Sequence, residues 1–106
     1  MSAVSTLADW ATGVSDEHGD EAYRRARAGC IDTVACLVAG ARDPASIAAR
    51  EAVAGWGVGQ ATVAGDSELR PAPWAALANG TAVDALDFDD YDVPAASHPS
   101  AVILPA

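Results

Sequence analysis

Between Asp84 and Ser100 the chain gathers the side chains that could move protons. Five of its fifteen acidic residues, Asp84, Asp87, Asp89, Asp90 and Asp92, fall within nine positions, and His98 follows, flanked by Ser97, Pro99 and Ser100. Crowded carboxylates repel one another, so one of them can hold its proton into the range a general acid needs. A histidine near a carboxylate can be oriented and kept basic by it, the common arrangement of proton-transfer sites. Other readings compete. A solvated acidic loop after a helix needs no function at all. Clustered oxygens also suit Mg²⁺ or Ca²⁺, although the Gly and Glu of an EF-hand calcium loop are missing here. In the third, Asp87 of Leu86-Asp87-Phe88-Asp89 is a phosphoryl-transfer nucleophile. That requires an apolar strand through Val83–Phe88, whereas NGTAVDAL is Ala-rich and reads as helix.

The elements that must position these residues read as helices. Val4, Leu7, Trp10 and Ala11 recur at helical spacing until Gly13. The polar stretch SDEHGD follows, with His18 as an exposed spectator. Asp20 is placed to cap a second helix, Glu21 adding favourable charge to its first turn. Its apolar face reads as Tyr23, Ala26, Cys30, Val34, Leu37 and Val38, and Gly40 suits its C-terminal end. Asp43 before Pro44 signals a third helix to about Gly55. From Gly57 to Pro73 the pattern breaks, and Ala61-Thr62-Val63 is either a short strand or extended chain. Trp74 opens a fourth helix through about Leu86, with Gly80 marking close approach by a neighbour. The final Ala101-Val-Ile-Leu-Pro-Ala reads as the start of another buried helix. Trp10, Trp56 and Trp74 read as packing or interface residues rather than a cofactor platform.

Composition bounds the class. The 106 residues carry six Arg, no Lys and a net charge of -9. Such a chain lacks the cationic surface that neutralises phosphates, which argues against nucleic acid and against an anionic membrane surface as partners. Half the residues are apolar, too many for a disordered tail. About a quarter are alanine, the best helix former but a small one, so the fold class is all-α, with four to five helices around a thin core. Cys30 and Cys36 are separated by about 600° of helical rotation, which opposes a disulfide. Both read as buried small hydrophobes in a reducing compartment. With no basic leader and no long apolar run, the chain reads as cytoplasmic and soluble. Its last residues stop inside an apolar run, which suggests a piece of a longer protein.

The run NGTAVDALDFDD followed by HPS and AVILPA resembles the signature of the MmgE/PrpD family, and IDTVACLVAGARDP resembles that family's second helical segment. The family includes 2-methylcitrate dehydratase, cis-aconitate decarboxylase and iminodisuccinate epimerase. The resemblance runs from about Leu7 to Ala106. It implies that residues 1–106 form part of an all-helical main domain, completed in the family by more helices and a smaller α/β lid. It also implies a lyase acting on small di- and tricarboxylates, without metal or organic cofactor, as a homodimer. Asp87 matches the first aspartate of DFDD and His98 the histidine of HPS, which makes them the catalytic pair. Asp90, Tyr91 and Ser100 fall on the substrate-binding side of the motif, Asp90 also ordering the loop. Asp84 stands where a His is common and Tyr91 where a Thr is common. The alternatives are a non-catalytic helical interaction module, or phosphoryl transfer at Asp87 of the haloacid dehalogenase type.

Overall fold

Local signals start and stop most of the helices. The computed structural model describes residues 2–14 and 18–106, so the first part of the expected polar connection lies outside them. Ser2 caps α1 (Ala3–Gly13) by accepting the Ser5 amide N–H at 3.1 Å. α2 spans Asp20–Gly40, with Gly19 rather than Asp20 at the cap position; Asp20 and Glu21 instead load its first turn with charge that suits the positive helix end. Asp43 caps α3 (Pro44–Ala54) through the Ala45 amide at 2.8 Å. α4 spans Ala72–Asp84, two residues earlier at each end than the periodicity suggests, because Pro71 and Pro73 favour a first turn there. α5 is a single short turn, Pro99–Ile103. Among the described residues strand pairing is confined to two isolated antiparallel bridges, Ala61 with Arg70 and Asp92 with Ser97. The fold is all-α, and the 57–73 segment is extended chain with one bridge.

α4 is the axis of the molecule. Its Ala75 and Ala78 join Val53 of α3 and Val63 in one buried cluster, with Ala61 and Trp74 at its edge. Its Val83 joins Cys36 of α2 and Ala101 of α5 in a second, with Leu37 alongside. An alanine-built core gains little from volume, so helix axes must approach closely for dispersion to count. Two glycines permit that. A Cβ at Gly40 would overlap the carbonyl oxygen of Ala82, and one at Gly80 would lie 2.9 Å from the carbonyl oxygen of Ala101. The expectation of close approach at Gly80 holds.

The expected face of α2 does not. The buried positions are Thr33, Cys36 and Gly40, while Tyr23, Val34 and Val38 are exposed. Small residues win the contact because only they let the α2 and α4 backbones meet. Cys30 is exposed and Cys36 buried, both as free thiols, so the expectation holds for one of the two. Burial first, then the charges of Asp32, Asp89 and Asp90, pushes the Cys36 thiol up. α1 buries none of its residues, and Trp10 is exposed. Trp56 and Trp74 meet edge-on with ring centroids 4.0 Å apart. His18 is exposed but not isolated, its ring lying 5.9 Å from that of Tyr23. In the last segment Ala101 is buried while Val102 and Ile103 are exposed.

Side chains tie the irregular segment down. Asn79 of α4 accepts the Ala64 amide N–H and donates to the Thr62 carbonyl, each at 2.9 Å. Arg70 is buried, its guanidinium bonded to Asp66 at 3.0 Å and donating to the Ala54 carbonyl at 3.3 Å. Arg50 donates to the carbonyls of Ala41 and Ala64. No helix among the described residues is long and apolar enough to cross a membrane.

Candidate active site

The site is made where α4 stops and α5 begins. Asp87 ends the helical run: its N–H donates to the Asp84 carbonyl at 2.9 Å, and its own φ is +54°. This left-handed conformation turns the chain off the helix axis, and aspartate tolerates it better than most residues. The turn sends neighbouring carboxylates in opposite directions. The Asp87 side chain is 88 % exposed, whereas that of Asp89 is 1 % exposed. Helix up to Asp84 and a turn after it also remove the strand through Val83–Phe88 that phosphoryl transfer at Asp87 requires. That alternative is therefore overturned.

The loop then folds back. Asp92 and Ser97 pair through their backbones, the Asp92 N–H donating at 2.9 Å, and the Asp92 carboxylate accepts the Ala95 amide. Asp90 reaches the start of α5, where Oδ1 accepts the Ser100 amide N–H at 3.1 Å and Oδ2 the Ser100 hydroxyl at 2.8 Å. Together these ties return His98 to the end of α4.

His98 is the hub. Its Nδ1 lies 3.1 Å from Oδ1 of Asp89, within hydrogen-bond range, and 3.7 Å from Oδ1 of Asp84. On the other side of the ring, Nε2 lies 3.9 Å from Oδ1 of Asp87, too far for a hydrogen bond. The Tyr91 ring leans against the imidazole with centroids 5.1 Å apart. The imidazole and Asp84 open into a groove of about 520 Å³ whose other walls include Leu77, Gly80, Thr81 and Val102. Asp87 is outside that lining and meets His98 from the exposed side.

The structure thus brings together Asp87, His98 and Tyr91, and joins Asp90 to Ser100 beside them. Sequence reasoning singled out neither Asp89 nor Asp84 as a partner of the histidine. Within DFDD no residue type distinguishes the buried aspartate from the exposed ones; only the left-handed turn at Asp87 does. One ligand atom each from Asp84, Asp87, Asp89 and His98 lie within 4.8 Å of one another, close enough to share a cation. With Nδ1 engaged by Asp89, such an ion would have to take Nε2.

The local field is negative. Arg24 and Arg25 are bound to Glu21 on the far end of α2, and Arg50 and Arg70 to the 41–70 region. None of these four cations faces the groove.

Residues 5–106 match the family model of the MmgE/PrpD N-terminal domain. No curated protein and no solved structure matches the chain. With DFDD and HPS, 79–106 and 31–44 in one helical frame and the match running nearly end to end, the chain belongs to the MmgE/PrpD family, as its N-terminal domain.

Proposed function

We propose that this chain is the N-terminal segment of a cofactor-independent lyase of the 2-methylcitrate dehydratase type, in which Asp87 and His98 carry proton transfer on a small di- or tricarboxylate. The observation that supports this reading best is the meeting of the two motif residues, eleven positions apart in sequence, with Nε2 of His98 3.9 Å from Asp87. Elimination needs a base to remove a proton α to a carboxylate and an acid to protonate the departing hydroxyl. His98 presents a ring nitrogen, Nε2, that has no hydrogen bond among the described residues for the first task, and Asp87 stands beside it as the second group. Asp90, Tyr91 and Ser100 border the substrate, the Asp90–Ser100 pair holding the loop in shape.

A substrate with two or three negative charges needs cations around it in a partly dry site. This chain has no lysine, and four of its six arginines are engaged by residues that do not line the groove. In this reading the anion-binding cations come from other parts of the enzyme, and residues 1–106 alone are inert. The exposed apolar faces of α1 and α2 support assembly into a homodimer. A reducing, cytoplasmic setting suits the two thiols of α2.

Two assays test this reading. Purified 1–106 is expected to show no dehydration of 2-methylcitrate and no decarboxylation of cis-aconitate. A chimera carrying residues 5–106 in place of the matching domain of an active family member is expected to turn over that member's substrate. Turnover by 1–106 alone refutes the inertness; a folded chimera without turnover refutes the site.

A further inference from the structure

We propose that Asp89 is the positioning residue of this site, fixing His98 as the tautomer that carries its proton on Nδ1 and leaves Nε2 free to accept one. The consequence for catalysis rests on the function proposed above; the tautomer itself is a property of the chain.

Three observations carry the assignment. Oδ1 of Asp89 is 3.1 Å from Nδ1, the shortest contact the imidazole makes with any of the three carboxylates around it. The Asp89 side chain is 1 % exposed, and its Oδ2 is buried without a hydrogen-bond partner among the described residues. His98 is therefore the one described group that satisfies this carboxylate. A buried carboxylate left without any donor is costly, and the other tautomer would leave it so. That tautomer would also set the bare Nδ1 lone pair against Oδ1 with no proton between them.

The geometry does the rest. With Nδ1 anchored inward, Nε2 faces Asp87 and has no hydrogen bond among the described residues. Once Nε2 takes a proton from substrate, the imidazolium that forms faces the buried Asp89 carboxylate, which stabilises it without accepting the proton itself. Asp84, at 3.7 Å and 57 % exposed, is too distant and too well solvated to hold the ring in the same way.

The test is ¹⁵N NMR of the ring nitrogens in metal-stripped 1–106, at a pH where the imidazole is neutral. The expected result is an Nδ1-protonated form exceeding the other at least about tenfold, the ratio set by about 1.4 kcal/mol. Asp84→Asn is expected to keep that ratio within about twofold, and Asp89→Asn to lose most of it. Because Asp84 is exposed, its variant tests the assignment even if Asp89→Asn fails to fold: an unchanged ratio there leaves Asp89 as the anchor. Five results would overturn the proposal. They are a free-ring mixture, a predominant Nε2–H form such as a protonated Asp89 would impose, loss of the preference in Asp84→Asn, its survival in a folded Asp89→Asn, and a preference that arises only on adding Mg²⁺ or Zn²⁺. None of them depends on turnover, so this failure and failure of the functional reading are told apart.

Discussion

Asp90 and Ser100 close the acidic loop like a clasp, two carboxylate oxygens meeting one backbone N–H and one hydroxyl at 3.1 and 2.8 Å. The pair does for α5 what a capping residue does, although the aspartate is ten positions upstream. It also sets the distance between α4 and His98, because the residues it joins bracket the Asp92–Ser97 turn. Asp90→Ala removes both bonds at once. We expect a loss of about 1 kcal/mol, the usual value of a cap, with faster amide exchange at Ser100 and Ala101 and little change in the α3–α4 cluster. Native-state hydrogen exchange checks this residue by residue; unchanged protection at Ser100 would show that the clasp is idle.

The crossing of α2 over α4 gives a second expectation through a pair of glycines in one helix. Gly40 has no room for a Cβ against the Ala82 carbonyl, whereas a Cβ at Gly29 meets nothing within 4 Å. Helix propensity favours alanine over glycine at both by up to about 1 kcal/mol. At Gly40 overpacking reverses the sign and costs about 1–3 kcal/mol. Denaturation of the two alanine variants should therefore move in opposite directions, Gly29→Ala up and Gly40→Ala down. A gain at both positions would mean that the helices are not in backbone contact.

Those glycines also show what the sequence made legible. Helix starts are local, so Asp43 with Pro44 announces α3 from two residues, and Gly80 announces a neighbour from one. The buried face of α2 is a tertiary choice. Tyr23, Val34 and Val38 outrank Thr33, Cys36 and Gly40 in apolar area, yet the second set is buried because a close crossing selects for smallness. The candidate site divides in the same way. Asp87 and His98 could be named from motif and chemistry, since both are types that move protons. The role of Asp89 could not, because three aspartates in DFDD look alike until one positive φ turns one outward and another inward.

Asp66 makes the 57–73 segment sensitive to acid. The Glu68 amide N–H, which reaches Oδ1 at 3.0 Å, holds its carboxyl below the ordinary aspartate value of 3.8; burial opposes the shift, and the Arg70 guanidinium adds to it. A carboxyl lowered by folding contributes stability that is fully present above its unfolded value and is lost as pH falls through the folded one. Asp66→Asn should thus be less stable than the parent at pH 7, and the gap should close steadily below pH 3.8. Urea denaturation of both proteins across that range checks it. A gap that widens in acid would contradict the assignment.

The central claim is that His98, with Asp87 beside it, moves protons on a bound carboxylic acid. The most direct measurement is steady-state kinetics of the 5–106 chimera carrying His98→Asn or Asp87→Asn. A positioned acid or base contributes about 10²–10⁴-fold, so kcat should fall by that range while KM changes little. Undiminished kcat in both variants would contradict the claim and leave the acidic loop without a part in the chemistry.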